Sequence, residues 1–201
     1  MTPAAPTIPE GFEPAPIGGA FAVHNGPLHA RWRDGHLELG FRVGPLHVNP
    51  GNACHGGMLT MFADILISTA AQYQAEIPRQ FLPTVSLQSD FVAPAPLGSW
   101  VQGRAEILKV TRHLLFSHGL IEADGVLVMR ASGVFRRGPL LPDSASDDTL
   151  RLTGMPARRA TRKILSEHFR SPMTAAISCR TKSSSARTWF RTNRCTFRGR
   201  R

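Results

Sequence analysis

The chain has no run of about 18 uncharged apolar residues, so the sequence predicts no transmembrane helix. It also lacks an N-terminal basic segment followed by an apolar one; we therefore expect no secretory signal and a cytoplasmic location. Cysteine is scarce, since 201 residues contain only Cys54, Cys179 and Cys195, with no CxxC pair. So few thiols exclude a disulfide framework and suit a reducing compartment. Cys54-His55 has no second ligand pair nearby, so no metal site is predicted.

Acidic residues are almost missing from the last quarter of the chain. Residues 151–201 hold 14 Lys and Arg but one acid, Glu167, whereas residues 1–150 hold 10 Lys and Arg and 13 acids. The overall net charge of +10 therefore describes a basic tail on a mildly acidic body. Composition predicts a largely disordered tail, with nucleic-acid binding as the less favoured alternative. We predict an irregular arm over 1–27, one domain over 28–138, and a linker and tail over 139–201.

Local patterns predict the elements of that domain. Asp34-Gly35 is a hairpin turn signal within the alternating segment Leu28–Val43. A long apolar helix follows from Gly57 to Gln74 and is closed by Pro78. Four strand-like segments follow: Phe81–Val92, Ser99–Val110, His113–Glu122 and Val126–Phe135. A second hairpin signal, Ala123-Asp124-Gly125, lies between the last two. The order predicts an α+β fold, an antiparallel sheet wrapped on one central helix.

One acid, Asp64, stands in the middle of the apolar helix. An ionised carboxylate there is costly unless it is paired or hydrated, which makes it the best functional lead. Helical spacing places it on one small, polar face of the helix. The members of this seam are Gly57, Thr60, Asp64, Ser68 and Ala71.

The helix begins with Gly56-Gly57, and glycines let backbone N–H groups approach a ligand closely. The partial positive charge at a helix N-terminus can stabilise a developing oxyanion. Asp64 lies roughly 10 Å further along the axis at 1.5 Å per residue. That distance favours a homo-oligomer in which a second subunit presents its Asp64 across an interface.

The segment HVNPGNACHGG, followed by an Ala-Asp pair on the helix, resembles the PaaI-like hotdog-fold acyl-CoA thioesterases. The resemblance spans roughly residues 20–137 and rests on an Asn, then His-Gly-Gly, then the helical Asp; TVSLQSDFVAP also resembles a strand of that family. It implies a hotdog fold, a curved antiparallel sheet around a long central helix, assembled as a homodimer or tetramer. Hydrolysis of acyl-CoA follows from it, with no cofactor because coenzyme A is part of the substrate.

The resemblance also implies residue roles. Asp64 would be the general base or nucleophile, and the Gly57 amide the oxyanion donor. His55 and Asn49 would orient the thioester, and Ser86 could position water opposite Asp64. The residues expected to contact substrate are Gly56, Thr60, Ser68, Phe91 and Arg112.

Other readings stay open for these residues. Asn49 also fits turn chemistry, and Asp64 could be a structural acid satisfied by nearby donors. Phe62, Phe81 and Phe91 could line the acyl pocket, and the phosphates of coenzyme A could meet three arginines near strand ends, Arg112, Arg136 and Arg137. The main alternative function is a non-catalytic acyl-CoA-binding hotdog module. A hotdog hydratase is disfavoured because no His follows Asp64 on the helix.

Overall fold

The computed structural model describes residues 7–75, 77–141 and 150–156. The predicted linker at 143–148, Cys179, Cys195 and most of the basic tail lie outside the described residues. Within these ranges there are seven strands and two α-helices, with a short 3₁₀ turn at Pro45–His47. The strands are β1 (Glu13–Pro14), β2 (His29–Arg33), β3 (His36–Arg42), β4 (Thr84–Phe91), β5 (Trp100–Val110), β6 (Leu114–Ala123) and β7 (Val126–Arg136), and the helices are α1 (Gly19–His24) and α2 (Gly56–Gln74).

Two predicted hairpins are confirmed, and their turns explain why they form. Asp34 and Gly35 have φ values of 50° and 80°, and Asp124 and Gly125 have 47° and 83°. Positive φ at both loop residues is the two-residue turn whose twist matches that of the flanking strands. These turns join β2 to β3 and β6 to β7, with the antiparallel pairing that the alternating sequence predicts.

All described strands form one antiparallel sheet in the order β1-β2-β3-β5-β6-β7-β4. Helix α2 packs on its concave side and contacts β3, β4, β5, β6 and β7. Phe62, Leu66 and Ile67 are fully buried there. The predicted α+β architecture is therefore confirmed. Two details differ: Phe62 is a core residue packed on Phe41 rather than a pocket wall, and Ala71 is fully buried rather than part of the polar seam.

Glycines on the inner face of the sheet set how closely α2 approaches. A Cβ added at Gly103 of β5 would lie 2.7 Å from a Leu66 methyl group. A side chain there would push the helix off the sheet, because core packing leaves no free volume. The close approach at Gly103 therefore fixes the distance between α2 and the sheet.

The N-terminal arm is more ordered than the sequence predicts. It contributes β1 and α1, and Phe12 packs edge-on against Trp100, with ring centroids 5.1 Å apart. The guanidinium of Arg31 lies over the Phe12 ring at 4.4 Å and donates to the Glu10 carbonyl. These contacts attach the arm to the sheet surface at β2 and β5.

The segment 150–156 packs on the domain, although it lies beyond the domain end predicted at residue 138. Leu150 and Leu152 are 5% and 8% exposed and belong to the hydrophobic core. The Leu150 amide donates to the Tyr73 hydroxyl at 2.8 Å. Thr153 donates to Glu13 through both its amide and its hydroxyl. Two isolated leucines in a polar stretch give no periodic signal, which is why the sequence did not predict this packing.

Candidate active site

Asp64 is half-buried on α2 and accepts a hydrogen bond from the Thr84 hydroxyl, 2.7 Å from its Oδ1. Thr84 is the first residue of β4, directly after Pro83. The bond fixes one carboxylate oxygen and leaves the other available to a ligand or water. Sequence reasoning missed Thr84, although a hydroxyl residue at the start of the strand following α2 was the available signal.

Within one chain Asp64 bonds Thr84 rather than Ser86, and the expected role of Ser86 in positioning water stays a prediction. The register of β4 against β7 shifts between Thr84 and Ser86, so Val85 is an extra, bulged residue. After the bulge, Leu87 packs against the core, and strand alternation turns the exposed Ser86 to the opposite face. Within one chain, Thr84 therefore stands beside Asp64 in place of Ser86.

His55 caps α2, and its ring engages the predicted oxyanion donor. The Gly57 N–H donates to His55 Nδ1 at 2.9 Å, and the Met58 N–H donates to the His55 carbonyl. Because Nδ1 accepts, the neutral ring carries its proton on Nε2 and can donate a second bond there. His55 and Gly57 are both exposed, so this helix end is open to a ligand.

Phe91 lies at the same helix end. A Cβ added at Gly56 would stand 3.3 Å from the Phe91 ring, so the ring packs against the glycine backbone. Phe91 is nevertheless 54% exposed and offers an apolar face to solvent. The structure thus brings together four predicted site residues: His55, Gly56, Gly57 and Phe91.

Asn49, Thr60 and Ser68 use their side chains within the chain. Asn49 Oδ1 accepts from the amides of Gly51 at 2.9 Å and Ala53 at 3.3 Å, which closes the loop before His55. The hydroxyls of Thr60 and Ser68 donate to backbone carbonyls one helical turn back. These bonds stabilise the loop and helix that carry the site; contact with substrate stays a prediction for all three residues.

The site residues of one chain form two groups. The helix-end group contains His55 and Gly57, and the carboxylate group contains Asp64 and Thr84. Along α2 the two groups are roughly 10 Å apart at 1.5 Å per residue. Arg112 belongs to neither group, because it lies in the turn between β5 and β6.

A cavity of about 350 Å³ adjoins the helix-end group. Its apolar wall comes from α1, the 3₁₀ turn and the first turns of α2. That volume is at the small end of the range for ligand pockets. The lining residues are Phe21, Asn25, Leu46, His47, His55, Gly57, Met58 and Met61.

His47 is a buried titratable group in this cavity wall. Its Nδ1 accepts from the Gly44 amide at 3.0 Å, and its ring meets Phe41 edge-on. Burial lowers the pKa of His47, against smaller opposing effects of backbone hydrogen bonds to Arg42 and Asn25. The folded protein therefore favours the neutral ring.

We expect this preference to make the protein sensitive to acid. Unfolded His has a pKa of about 6.5, so below that pH the unfolded chain binds more protons than the folded one and stability falls. Melting curves from pH 7.5 to 5 should show this loss, and His47→Gln should make it shallower. His24→Gln, at an exposed position, is the control and should retain the wild-type slope. Burial also lowers the pKa of His29, which adds the same pH dependence to all three proteins. Equal slopes of Tm against pH in all three would contradict the role of His47.

Cys54 does not have the properties of a catalytic thiol. It is buried, and burial raises the pKa of its thiol to about 11. The thiol is therefore protonated, and so a weak nucleophile, at neutral pH. Over the described ranges, no three His, Cys, Asp or Glu residues are grouped to hold a metal ion, and no helix is long and apolar enough to cross a membrane.

An antiparallel sheet curved around one long helix, with a carboxylate on that helix and glycines at its start, is the hotdog architecture. Residues 51–129 match the Thioesterase superfamily. Protein PA0474 of Pseudomonas aeruginosa, which bears an esterase name, is 32% identical over 130 residues, 64% of this chain and 96% of the relative. The chain belongs to the thioesterase superfamily.

Solved structures agree on the fold. A phenylacetic acid degradation-related protein from Ralstonia eutropha is 25% identical, with a TM-score of 0.53 over 59% of this chain and 89% of that one. BH2602 from Bacillus halodurans, solved with CoA, is 25% identical, with a TM-score of 0.50 over 54% and 72%. The predicted resemblance to PaaI-like hotdog thioesterases is confirmed, and membership supports thioester hydrolysis in general.

Proposed function

We propose that the protein hydrolyses acyl-CoA thioesters to the free acid and CoA. The observation that carries the proposal is the Asp64–Thr84 pair, a half-buried carboxylate held by one hydroxyl on the central helix. Family membership supplies the reaction class, and CoA in the related BH2602 structure supports CoA as the thiol part of the substrate.

Asp64 would act as general base. It takes a proton from water, the water oxygen attacks the thioester carbonyl, and the carbonyl carbon–sulfur bond breaks to release CoA thiolate, which is then protonated. Direct attack by the carboxylate would instead form an anhydride that water hydrolyses. Both routes need a free carboxylate oxygen, and Thr84 occupies only Oδ1.

The oxyanion would form at the start of α2. The Gly57 amide donates to His55 Nδ1 in the free protein, so the substrate oxygen must share or replace that bond. The Nε2–H of His55 offers a second donor. An oxyanion donor of this kind is worth on the order of 10²–10³ in rate.

The separation of the two groups supports a site shared between subunits. A carbonyl bound at Gly57 is out of reach of Asp64 in the same chain, so a partner copy would supply the carboxylate. β4 is an edge strand of the sheet as described. Val85 in this strand is 61% exposed, and Val92, directly after it, is 58% exposed. An apolar, unpaired edge of this kind is a template for pairing with a second chain. A homodimer or tetramer is the assembly we propose.

The cavity beside His55 gives the acyl group a place. Phe21 and Leu46, which line it, are 66% and 91% exposed, and Met58 and Met61 add further apolar side chains to the lining. Phe91, packed on Gly56, extends the apolar surface. A small apolar or aromatic acyl group fits about 350 Å³ better than a long chain does.

Thiol release from a panel of acyl-CoAs tests the proposal. We expect turnover, highest for short or single-ring acyl groups, with the free acid formed in equal amount. The alternative function is a non-catalytic acyl-CoA-binding hotdog module. Tight binding of acyl-CoA without release of either product would favour that module and overturn the enzyme assignment.

A further inference from the structure

A second cavity, of about 240 Å³, lies against the C-terminal half of α2. Its walls come from the N-terminal arm, α2, the segment 79–82 and Leu141. The described residues that line it and those that line the cavity beside His55 have no member in common. A water molecule takes up about 30 Å³, so the space is large enough for a small organic molecule. We call it the Gln80 cavity.

Gln80 brings a buried donor to this cavity. The residue is 3% exposed, and its side-chain Nε2 has no hydrogen-bond partner among the described residues. A buried amide donor without an acceptor costs free energy, so folded proteins rarely keep one. An acceptor on a ligand in the cavity would give this donor its partner.

Backbone hydrogen bonds hold Gln80 in place from two sides. On the helix side, the Gln80 amide donates to Gln72 Oε1 at 3.4 Å, and Gln72 Nε2 donates to the Gln80 carbonyl. On the other side, the Phe81 amide donates to the Pro139 carbonyl at 2.9 Å. The unpaired donor is therefore carried by a fixed segment, which is what a binding site requires.

The rest of the lining indicates the chemistry of a ligand. Arg79 is half-buried and adds a positive charge, and among the described lining residues there is no Asp or Glu. Much of the remaining wall is apolar, with Ile17 and Leu82 5% and 7% exposed. An apolar wall with a few placed donors is the usual form of a small-molecule site. The donors and the single cation favour an anion with an apolar body.

The Gln80 cavity borders the carboxylate group of the candidate site. Ser68, in its lining, lies one helical turn beyond Asp64, and its hydroxyl donates to the Asp64 carbonyl at 2.7 Å. Leu82, also in the lining, lies two residues before Thr84. One turn is about 5.4 Å along the axis. A negative charge held in the cavity would therefore act on the Asp64 carboxylate.

We propose that the Gln80 cavity is a second ligand site, which binds a small carboxylic acid. The Gln80 amide and the Arg79 guanidinium hold its carboxylate through charge-assisted hydrogen bonds, and the apolar wall covers its hydrocarbon part. The free acid released from an acyl-CoA belongs to this class, so the site makes hydrolysis sensitive to its own product. That consequence rests on the proposed function, whereas the binding of the acid does not.

Titration calorimetry with benzoate as the probe tests the binding, and benzamide keeps the ring but has no charge. We expect benzoate to bind the wild type at least about tenfold more tightly than benzamide. Gln80→Leu should weaken benzoate binding at least about tenfold, because a hydrogen bond to a charged group is lost. Gln88→Leu makes the same change at an exposed position of β4. It is the matched control and should keep the wild-type affinity.

Melting curves without ligand separate this role of Gln80 from a structural one. Leu has nearly the volume of Gln and leaves no buried donor unpaired, so Gln80→Leu should melt at or above the wild-type temperature. A lower Tm would show that the folded protein already satisfies the amide, and would overturn the site.

The remaining outcomes distinguish the site from the proposed function. If benzoate does not bind, or binds wild type and Gln80→Leu equally, the acid site is wrong while thioester hydrolysis stands; equal binding would place benzoate in the cavity beside His55. In the thiol-release assay, benzoate should inhibit the wild type more strongly than Gln80→Leu. Equal inhibition would overturn the sensitivity to product. Absence of turnover with any acyl-CoA would instead overturn the proposed function.

Discussion

Replacing Asp64 by Asn is expected to lower kcat for acyl-CoA hydrolysis by at least about 10²-fold, in line with the loss of a general base. Asn keeps the shape of the side chain and its oxygen can still accept from Thr84, but it cannot take a proton from water. Asp64→Ala should lose at least as much. Thiol release at saturating substrate measures the effect, and melting curves show that the variants remain folded.

Thr84→Val removes the hydrogen bond to the Asp64 carboxylate but keeps the carboxylate itself. Val has nearly the shape of Thr but cannot donate to Asp64 Oδ1, so the base is kept and only its position is loosened. We expect about a tenfold loss of kcat, smaller than for Asp64→Asn, because an exposed hydrogen bond to a charged group contributes on the order of 1.5 kcal/mol. Activity that survives both Asp64 variants would show that the carboxylate is not the base.

Local sequence signals predicted most of the fold because each hairpin turn has its own chemistry. Asp34-Gly35 and Asp124-Gly125 specify positive φ at both loop residues, and no long-range contact is needed to fix that conformation. The length of α2 also followed from its apolar composition and from Pro78. These features are encoded within a few residues, so the order of hairpin, helix and strands could be predicted without knowledge of the packing.

The site was predicted less completely, because one inserted residue decides which side chain faces Asp64. The bulge at Val85 exchanges the faces of the strand, and a shift by one residue turns every following side chain over. Ser86 was expected near Asp64 from the family resemblance, which does not fix the register of the strand, whereas within one chain Thr84 makes the contact. The sequence also did not predict His55 as the N-cap of α2, since His is not a preferred N-cap residue.

The segments at both ends of the domain illustrate the same limit. Phe12 binds between Arg31 and Trp100, and Leu150 binds at Tyr73; each contact joins residues far apart in the chain. Neither segment has a repeating pattern that would predict it. Only the assembled sheet and helix create the surfaces on which these apolar side chains are buried.

Truncation after Gly138 is expected to destabilise the domain severely, whereas truncation after Pro156 should leave its stability unchanged. The shorter chain loses Leu150 and Leu152, and burying a leucine contributes about 1.5–3 kcal/mol. The expected loss of roughly 3–6 kcal/mol is a large share of the 5–15 kcal/mol typical of a domain. It corresponds to a fall in Tm of roughly 10–20 °C for a chain of this length.

Leu150→Ala/Leu152→Ala in the full chain tests whether the two side chains cause the loss. This double variant should reproduce most of the effect, since Leu→Ala in a core costs about 2–5 kcal/mol per site. Thr153→Ala removes only exposed hydrogen bonds to Glu13 and serves as the matched control. If truncation after Gly138 melts at the wild-type temperature, the segment contributes nothing and the domain ends where the sequence predicted. A loss on truncation after Pro156 would instead place stabilising contacts in residues 157–201.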